Sequence, residues 1–281
     1  MTNKIIVVGK NSYIGSYLTE SLRTRDCEVV LLSSKDCDFR NLKEVNAFFS
    51  TLSGHSVTIV FLAVIKKDDS NNYQSYLNNI SLVNNLIQAG VSKNIRSIVY
   101  LSSVDVYGNK PILPISEQTK IEPDTWYGLA KYTCEWILTS TELLNCPIAI
   151  LRIPGIFGNA CNDKSVIGKM ISNSITDARI EITGNEKNLR DYVCVDDVCA
   201  LIWLCICKQY HGLVNVASGK SRSILDIAKC IKLVLNLDAE IVVKSSNNNR
   251  TFDLVFDNSK LISSFPEFRF TELETAIKSY R

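Results

Sequence analysis

The sequence predicts an α/β protein built on a doubly wound parallel sheet. Short apolar runs rich in β-branched residues alternate with amphipathic helical segments through the first half of the chain. The strands are nearly continuously apolar, so helices are expected to cover both faces of the sheet. Strands are predicted at 4–8, 28–32, 57–62, 95–101 and 148–153, and helices at about 14–25, 41–52, 72–89 and from Tyr127 to about 144.

The pattern becomes less regular after residue 153. We expect a Rossmann-like N-terminal domain over 1–153, joined by a returning segment at 191–216, and a smaller, interleaved C-terminal substrate domain over 154–281. The predicted helices here are 165–174, 196–207, 223–235 and a tail from 271, with strands at 179–182, 213–216, 241–243 and 253–256 and an extended segment at 191–195.

Composition narrows the class of protein. The 281 residues are 46% hydrophobic and 21% charged, which suits a globular chain with ample core. A net charge of +2 without a basic run does not indicate nucleic-acid binding, and the longest apolar run, 200–207, is too short to span a membrane. The start lacks the apolar stretch of a signal peptide, so we expect a cytoplasmic protein.

Cysteine and histidine usage argues against a metal centre. Ten cysteines occur without a CxxC pair, and Cys194, Cys199, Cys205 and Cys207 lie in or beside apolar segments, which predicts buried reduced thiols. His55 and His211 lie far from any cysteine or acidic cluster. We therefore expect no metal site and no histidine-based hydrolase triad.

The segment GKNSYIG follows the first strand and opens a helix, as a dinucleotide-binding loop requires. Gly9 would allow the tight turn and Gly15 close helix packing, while N–H groups at the helix start could hold a pyrophosphate. The alternative is an ordinary turn with two glycines. The predicted cofactor residues of this loop are Gly9, Asn11, Ser12, Tyr13, Ile14 and Gly15.

The second strand is followed by Ser33, Ser34 and Lys35 instead of an acidic residue. Hydroxyls and an ammonium suit a 2′-phosphate, so NADP(H) is preferred over NAD(H). A solvated loop lysine is the alternative, and the nearby Asp36 counts against the preference.

The stretch from Tyr100 to Lys131 carries the predicted chemistry. Tyr127 and Lys131 are one helical turn apart and share a helix face. An ammonium near a phenol favours the phenolate and lowers its pKa, which suits Tyr127 to acid/base work. Ser103 would orient the reacting oxygen, and Asp105 supplies a carboxylate. The alternative for this spacing is a half-buried tyrosine beside a solvated lysine.

These motifs resemble those of extended short-chain dehydrogenases/reductases that act on nucleotide sugars. SSVDVYG and YGLAK match the catalytic motifs of that family over Ser103, Tyr127 and Lys131, although Ser12 replaces the middle glycine of its GxxGxxG loop. The resemblance implies further cofactor contacts in CDFRN, FLAVIK, the helix LNNISLVNNL and the residue after the fifth strand: Asp38, Phe39, Leu62, Ala63, Lys66, Asn79 and Pro154.

Two arginines are implied to bind the diphosphate of the substrate. RDYVCVDDV matches a second family signature over Arg190, and RTFD resembles the segment of the second arginine, Arg250. A guanidinium fork suits phosphate oxygens. The alternatives are a salt bridge from Arg190 to Asp191 or Asp196, and a solvated loop for Arg250.

The resemblance implies hydride transfer between a nicotinamide and a sugar carbon. The family's dehydratases carry Thr-Asp-Glu where this chain has Ser103-Val104-Asp105, and Val104 cannot move a proton, although Asp105 keeps the question open. The prediction is an NAD(P)-dependent reductase of a 4-keto-6-deoxy sugar nucleotide in cell-surface glycan precursor synthesis. A 4-epimerase is the second interpretation, followed by a 4,6-dehydratase and a non-catalytic dinucleotide-binding protein.

The resemblance also implies a homodimer. Helices near 72–90 and 126–144 resemble the pair through which the family forms a four-helix bundle. Tyr73, Tyr76, Trp126 and Trp136 would supply its apolar area.

Overall fold

A computed structural model describes residues 4–52, 56–66, 69–91, 93–141, 144–158, 165–244 and 252–280. The chain divides into two compact units. Unit 1 comprises Met1–Gly108, Ile121–Arg152 and Cys199–Val214, and unit 2 comprises Asn109–Lys120, Ile153–Val198 and Asn215–Arg281.

The elements follow one another in a strand–helix alternation that becomes less regular after β5. The first part contains β1 (Lys4–Val8), α1 (Tyr13–Arg23), β2 (Glu28–Leu32), α2 (Leu42–Ser50), β3 (Val57–Phe61), α3 (Tyr73–Gly90), β4 (Ile95–Ser103), a 3-10 helix (Val104–Tyr107), α4 (Trp126–Ser140) and β5 (Ile148–Ile153). The second part contains β6 (Gly155–Phe157), α5 (Val166–Thr176), β7 (Arg179–Thr183), β8 (Leu189–Arg190), β9 (Tyr192–Cys194), α6 (Val195–Lys208), β10 (Gly212–Asn215), β11 (Arg222–Ser223), α7 (Ile224–Val234), β12 (Glu240–Lys244), α8 (Ser259–Ser264) and α9 (Leu273–Lys278).

The described residues of the main sheet form six strands in the order β10-β5-β4-β3-β1-β2. β1 pairs in parallel with both β2 and β3, and β3 pairs in parallel with β4. The predicted α/β fold with a parallel sheet is therefore confirmed, and the segment predicted at 213–216 does join this sheet as β10. The strand order reverses at β1, and parallel sheets bind ligands at the carboxyl ends of the strands beside such a point.

Both faces of the sheet are covered by apolar packing. Helices α2, α3 and α4 bury Phe49, Leu86 and Leu138 on one face, against Ile59 and other strand residues. The alternate strand residues are buried as well, among them Ile5, Val7, Val60 and Val99. This arrangement explains why the strand sequences lack polar alternation.

Unit 2 has a core of its own. Helices α5 and α7 pack on β7, and α9 packs on α7 and β9, with Ile167, Ile180, Ile231 and Ile277 among the fully buried residues. Its short strands pair as β12 with β7, β6 with β9, and β11 with β8. Within the described ranges, no helix combines the length and apolarity needed to cross a bilayer.

The structure corrects several sequence-predicted bounds. β4 continues to Ser103, two residues beyond the predicted end, and α4 stops at Ser140, short of 144. The strand predicted at 253–256 is only an isolated bridge between Phe256 and Ile115, and α8 was not predicted. These errors fall where tertiary pairing, and not local pattern, fixes the backbone.

Candidate active site

The glycine-rich loop lies where β1 and β3 end side by side. Gly9 has a φ of +102°, and a Cβ at this position would lie 2.8 Å from the backbone nitrogen of Ala63. The N–H groups of Gly9 and Lys10 both donate to the carbonyl of Leu32 at the end of β2. Only glycine combines this φ with such a close approach, so the loop keeps a cradle next to β3 that a side chain would fill.

Helix α1 begins directly behind this loop. Ser12 is its N-cap, with its Oγ accepting a hydrogen bond from the N–H of Gly15 at 3.0 Å. Asn11 is exposed, whereas Tyr13 and Ile14 are half-buried in the first turn. A helix N-terminus beside a tight glycine turn is suited to an anion such as a pyrophosphate, so these residues fit a dinucleotide. The serine in place of the family's middle glycine is explained by its role as the cap.

The loop after β2 carries a positive charge on Lys35 and a negative charge on Asp36. Asp36 accepts hydrogen bonds from the N–H and Oγ of Ser33, at 2.8 and 2.6 Å, and its Oδ2 lies 2.9 Å from Nζ of Lys10. These contacts lower the pKa of the Asp36 carboxyl, with the Lys10 contact contributing most. Ser34 and Lys35 are exposed next to them. A carboxylate therefore lies at the end of β2 after all, although it comes from a residue four positions later and is paired with a lysine.

The segment predicted to contact adenine is held by its own side chains. The carboxylate of Asp38 binds the guanidinium of Arg40 through both oxygens, with Nη2–Oδ2 at 2.7 Å. Phe39 is buried in the core, and its carbonyl accepts a hydrogen bond from Asn85 at 2.9 Å. Phe39 therefore serves the core, and its predicted contact with the cofactor stays a prediction.

Asn79 acts on the loop after β3. Its side-chain amide accepts from the N–H of Ile65 at 2.7 Å and donates to the carbonyl of the same residue at 3.0 Å. Leu62 is buried and donates its N–H to Val8, and Lys66 is exposed. The structure places Asn79 as a support of this loop; direct contact with a cofactor stays a prediction.

Tyr127 and Lys131 are brought together on α4. Nζ of Lys131 lies 5.9 Å from the ring centroid of Tyr127 and 4.8 Å from that of Tyr100, and it donates a hydrogen bond to the carbonyl of Leu101. Lys131 is only 4% exposed, and burial lowers the pKa of its ammonium to about 8, against opposing effects of Cys134 and Glu135. The alternative considered above, in which Lys131 is a solvated lysine, is therefore wrong.

The end of β4 lies against the start of α4. The Oγ of Ser103 accepts a hydrogen bond from the N–H of Asp105 at 3.1 Å and caps the 3-10 helix. A Cβ on Gly128 would lie 2.5 Å from the backbone carbonyl oxygen of Asp105. Glycine after Tyr127 thus lets α4 approach the segment of Ser103 and Asp105, which sets these side chains beside one helix start.

Sequence reasoning missed two charged residues behind this site, Glu135 and Arg152. They form a buried ion pair with Nη2–Oε2 at 2.7 Å. Two signals were available: Glu135 is one turn beyond Lys131 on the same helix face, and Arg152 interrupts an apolar strand. A charge in a buried strand requires a partner.

The remaining predicted residues belong to unit 2. Nη1 of Arg190 donates to the carbonyls of Leu189 and Phe252, and its guanidinium lies 5.5 Å from the Phe252 ring centroid. The carboxylate of Asp191 accepts hydrogen bonds from the N–H groups of Ser218 and Gly219, at 3.2 and 2.8 Å. Pro154 is buried between β5 and β6, and Arg250 lies outside the described residues.

Arg190 borders a cavity of about 460 Å³ within unit 2. Its walls also carry Lys220, Arg222 and Arg269 together with Phe268 and Phe270. Lys220 is paired with Glu272 and Arg222 with Glu274. Basic side chains therefore line the cavity, and two of them, Lys220 and Arg222, form ion pairs with glutamates.

Comparison with known proteins gives the family. The model of the NAD dependent epimerase/dehydratase family matches residues 5–217, which include the glycine loop, Ser103, Tyr127, Lys131 and Arg190. The chain belongs to this family. The resemblance read from the motifs is thereby confirmed, and the family is NAD(P)-dependent.

Similar proteins span almost the whole chain. A GDP-6-deoxy-D-talose 4-dehydrogenase of Aggregatibacter actinomycetemcomitans is 26% identical, with 98% of this chain and 96% of that one covered. A putative UDP-glucose 4-epimerase of Methanocaldococcus jannaschii is 25% identical, with 91% and 90% covered. The solved UDP-glucose 4-epimerase of Thermotoga maritima superimposes with a TM-score of 0.86 at 19% identity, covering 99% and 97%, and shows the shared fold.

Proposed function

We propose that the protein is an NAD(P)-dependent oxidoreductase that reduces a 4-keto-6-deoxy nucleotide sugar. One observation carries the proposal: Lys131 is fully enclosed, with its ammonium 5.9 Å from the Tyr127 ring, one helical turn away. Keeping a lysine buried without a carboxylate in direct contact costs stability. A protein retains such a charge where it serves chemistry.

The side chains have complementary roles in this proposal. Tyr127 gives a proton to the oxygen of the sugar carbonyl as it becomes a hydroxyl, and the charge of Lys131 stabilises the phenolate that remains. Ser103 donates a hydrogen bond to the same oxygen, because its Oγ already accepts from Asp105 and keeps its own hydrogen. A bound nicotinamide cofactor supplies the hydride.

The nucleotide cofactor would be held by residues at the carboxyl edge of the sheet. The turn at Gly9 and the start of α1 would hold the pyrophosphate, and Lys131 would also bind the nicotinamide ribose. Lys10 and Lys35 lie at the end of β2, where a 2′-phosphate would be attracted. We therefore favour NADP(H).

A dehydratase is the least supported of the family's activities. Val104 is a buried aliphatic residue, 6% exposed, between Ser103 and Asp105. Elimination of water needs acid and base groups beyond Tyr127. The match over 98% of this chain, at 26% identity, to a GDP-6-deoxy-D-talose 4-dehydrogenase supports chemistry at C4 without elimination.

A nucleotide-sugar 4-epimerase is the second candidate. The observation that favours it is the Asp36 carboxylate at the end of β2, hydrogen-bonded to Ser33. An acid at this place accepts ribose hydroxyls and suits NAD, the form an epimerase retains through its cycle.

For the substrate we infer a nucleoside-diphosphate sugar. Arg190 and the basic walls of the unit 2 cavity support a diphosphate, since guanidinium groups bind phosphate oxygens in pairs. The aromatic pair Phe268 and Phe270, 4.9 Å apart, supplies apolar surface in the same cavity. The identity of base and sugar follows from the assay below.

The experiment is a cofactor-turnover assay on GDP- and dTDP-linked 4-keto-6-deoxy sugars. A reductase consumes NADPH in proportion to product, whereas an epimerase interconverts C4 epimers while its NAD stays bound. Tyr127→Phe should lower kcat about 10²–10⁴-fold with cofactor affinity retained. Near wild-type kcat in Tyr127→Phe would rule out the proposed proton transfer.

We also propose a homodimer formed through α3 and α4. Trp136 is 65% exposed and Leu77 39% exposed on these packed helices, whereas Tyr73, Tyr76 and Trp126 contact one another. Large exposed apolar side chains on one helix pair indicate an interface. Light scattering should give twice the 31.5 kDa chain mass at micromolar concentration, and a monomer there would refute the dimer.

A further inference from the structure

Behind the Tyr127–Lys131 pair, Glu135 and Arg152 form a two-pronged ion pair. Nη2 of Arg152 lies 2.7 Å from Oε2 of Glu135, and Nε lies 3.0 Å from Oε1. Both side chains are 4% exposed. Burying two charges seldom adds net stability, because the desolvation cost offsets the attraction. The pair therefore calls for an explanation other than stability.

Each partner also binds one end of the segment that carries Ser103. The Oγ of Ser102 donates to Oε1 of Glu135, and Nη1 of Arg152 donates to the hydroxyl of Tyr107 at 2.7 Å. The guanidinium also lies 4.9 Å from the Tyr107 ring centroid. Residues 102 and 107 lie at the two ends of the segment formed by the end of β4 and the 3-10 helix. The ion pair therefore holds this segment by hydrogen bonds at both ends.

The same pair is anchored to the elements that carry the acid/base residues. Glu135 is on α4, two turns beyond Tyr127 and one turn beyond Lys131, and Arg152 is on β5. Lys131 adds a third attachment at the carbonyl of Leu101. Side chains of α4 and β5 thus hold residues 101–107 at three points, all of them buried.

We propose that the Glu135–Arg152 pair is a positioning element that fixes the 102–107 segment, and with it the Ser103 hydroxyl, against the helix of Tyr127. This role rests on the proposed function, in which Ser103 and Tyr127 act on one oxygen. Displacement of a reacting group by about 1 Å can cost 10²-fold in rate. Apolar side chains could fill the same space, but they could not make the directional hydrogen bonds that hold both ends of the segment.

The test separates positioning from stability with a double variant, Glu135→Met/Arg152→Met. Apolar replacement of both partners is expected to keep the protein folded, because no charge is left unpaired. Ser102 and Tyr107 then lose their anchors. Should the double variant fail to fold, Ser102→Ala/Tyr107→Phe removes the same anchors and leaves the ion pair intact.

The first readout needs no substrate. Hydrogen exchange of the Asp105 amide, bonded to Ser103 Oγ, should become roughly five- to tenfold faster in the double variant, the factor expected from the loss of about one hydrogen bond. The control is Val45→Ala, a fully buried change in α2 that lowers stability without touching the segment. Unchanged exchange in both anchor variants would overturn the proposal, whatever the reaction is.

The second readout is kinetic. The double variant should lose about 10²-fold in kcat with KM nearly unchanged, whereas Val45→Ala should keep kcat at a lower melting temperature. Wild-type kcat in a folded double variant would show that the pair serves folding alone. If the wild-type protein turned over no nucleotide sugar, the proposed function would fail while the exchange result still reported on the restraint.

Discussion

Replacing Lys131 by methionine should make the protein more stable while abolishing its activity. Methionine is unbranched and of similar length, so it can occupy the same enclosed site without a charge. In the wild-type protein, burial lowers the pKa of this ammonium from 10.5 to about 8. The lysine therefore imposes a cost on folding, and the variant removes that cost.

The magnitude follows from the pKa difference. Lowering the pKa from 10.5 to about 8 corresponds to ~3 kcal/mol of destabilisation at neutral pH. The variant also loses the hydrogen bond to the carbonyl of Leu101, worth about 1 kcal/mol. The free energy of unfolding should thus rise by ~2 kcal/mol, or roughly 4–8 °C in melting temperature.

The sign of the pH dependence identifies the group. Between about pH 8 and 10.5 the unfolded chain binds more protons at this lysine than the folded one, so wild-type stability gains relative to the variant as pH rises. The variant's advantage should be largest at pH 7 and vanish at about pH 10, and above that pH the lost hydrogen bond to Leu101 should leave the variant less stable by up to about 1 kcal/mol. Below about pH 8 the cost is fully present.

The assay is chemical denaturation of the nucleotide-free protein from pH 7 to 10.5, for wild type, Lys131→Met and the exposed-site control Lys43→Met. The control should follow the wild-type curve at every pH, since Lys43 lies exposed on α2. A Lys131→Met protein that is less stable at pH 7, or whose curve runs parallel to wild type, would refute the idea that this lysine is kept at a folding cost.

Two further variants test the geometry and the cofactor. Gly128→Ala places a Cβ 2.5 Å from the Asp105 carbonyl oxygen, so it should lower stability by about 1–3 kcal/mol and reduce kcat. Gly90→Ala meets only the ends of the Ile95 and Leu144 side chains, so it should leave both nearly unchanged in thermal unfolding and turnover assays; equal effects would argue against a backbone clash. Lys35→Ala should weaken NADPH binding roughly tenfold or more in calorimetry while NADH binding changes little, and equal losses would reject a 2′-phosphate contact.

The strands of the sheet and the motifs that carry the proposed chemistry could be predicted without coordinates. Short apolar runs rich in β-branched residues indicate strands covered on both faces, and β1, β2 and β5 start and end at the predicted residues. A turn glycine after a strand and a Tyr–Lys pair one turn apart are local patterns, so Gly9, Tyr127 and Lys131 could be assigned roles without coordinates.

The surroundings of those motifs depend on tertiary packing and could not be predicted from local sequence patterns. The turn after β2 brings the Asp36 carboxylate to Ser33 and Lys10, and hydrophobic periodicity does not predict the course of such a turn. The ion pair between Glu135 and Arg152 joins a helix to a strand 17 positions away. Its hydrogen bonds to Ser102 and Tyr107 form only when both elements pack against the end of β4. Local spacing fixes which face a side chain occupies, whereas the partner across that face depends on how the elements pack against one another.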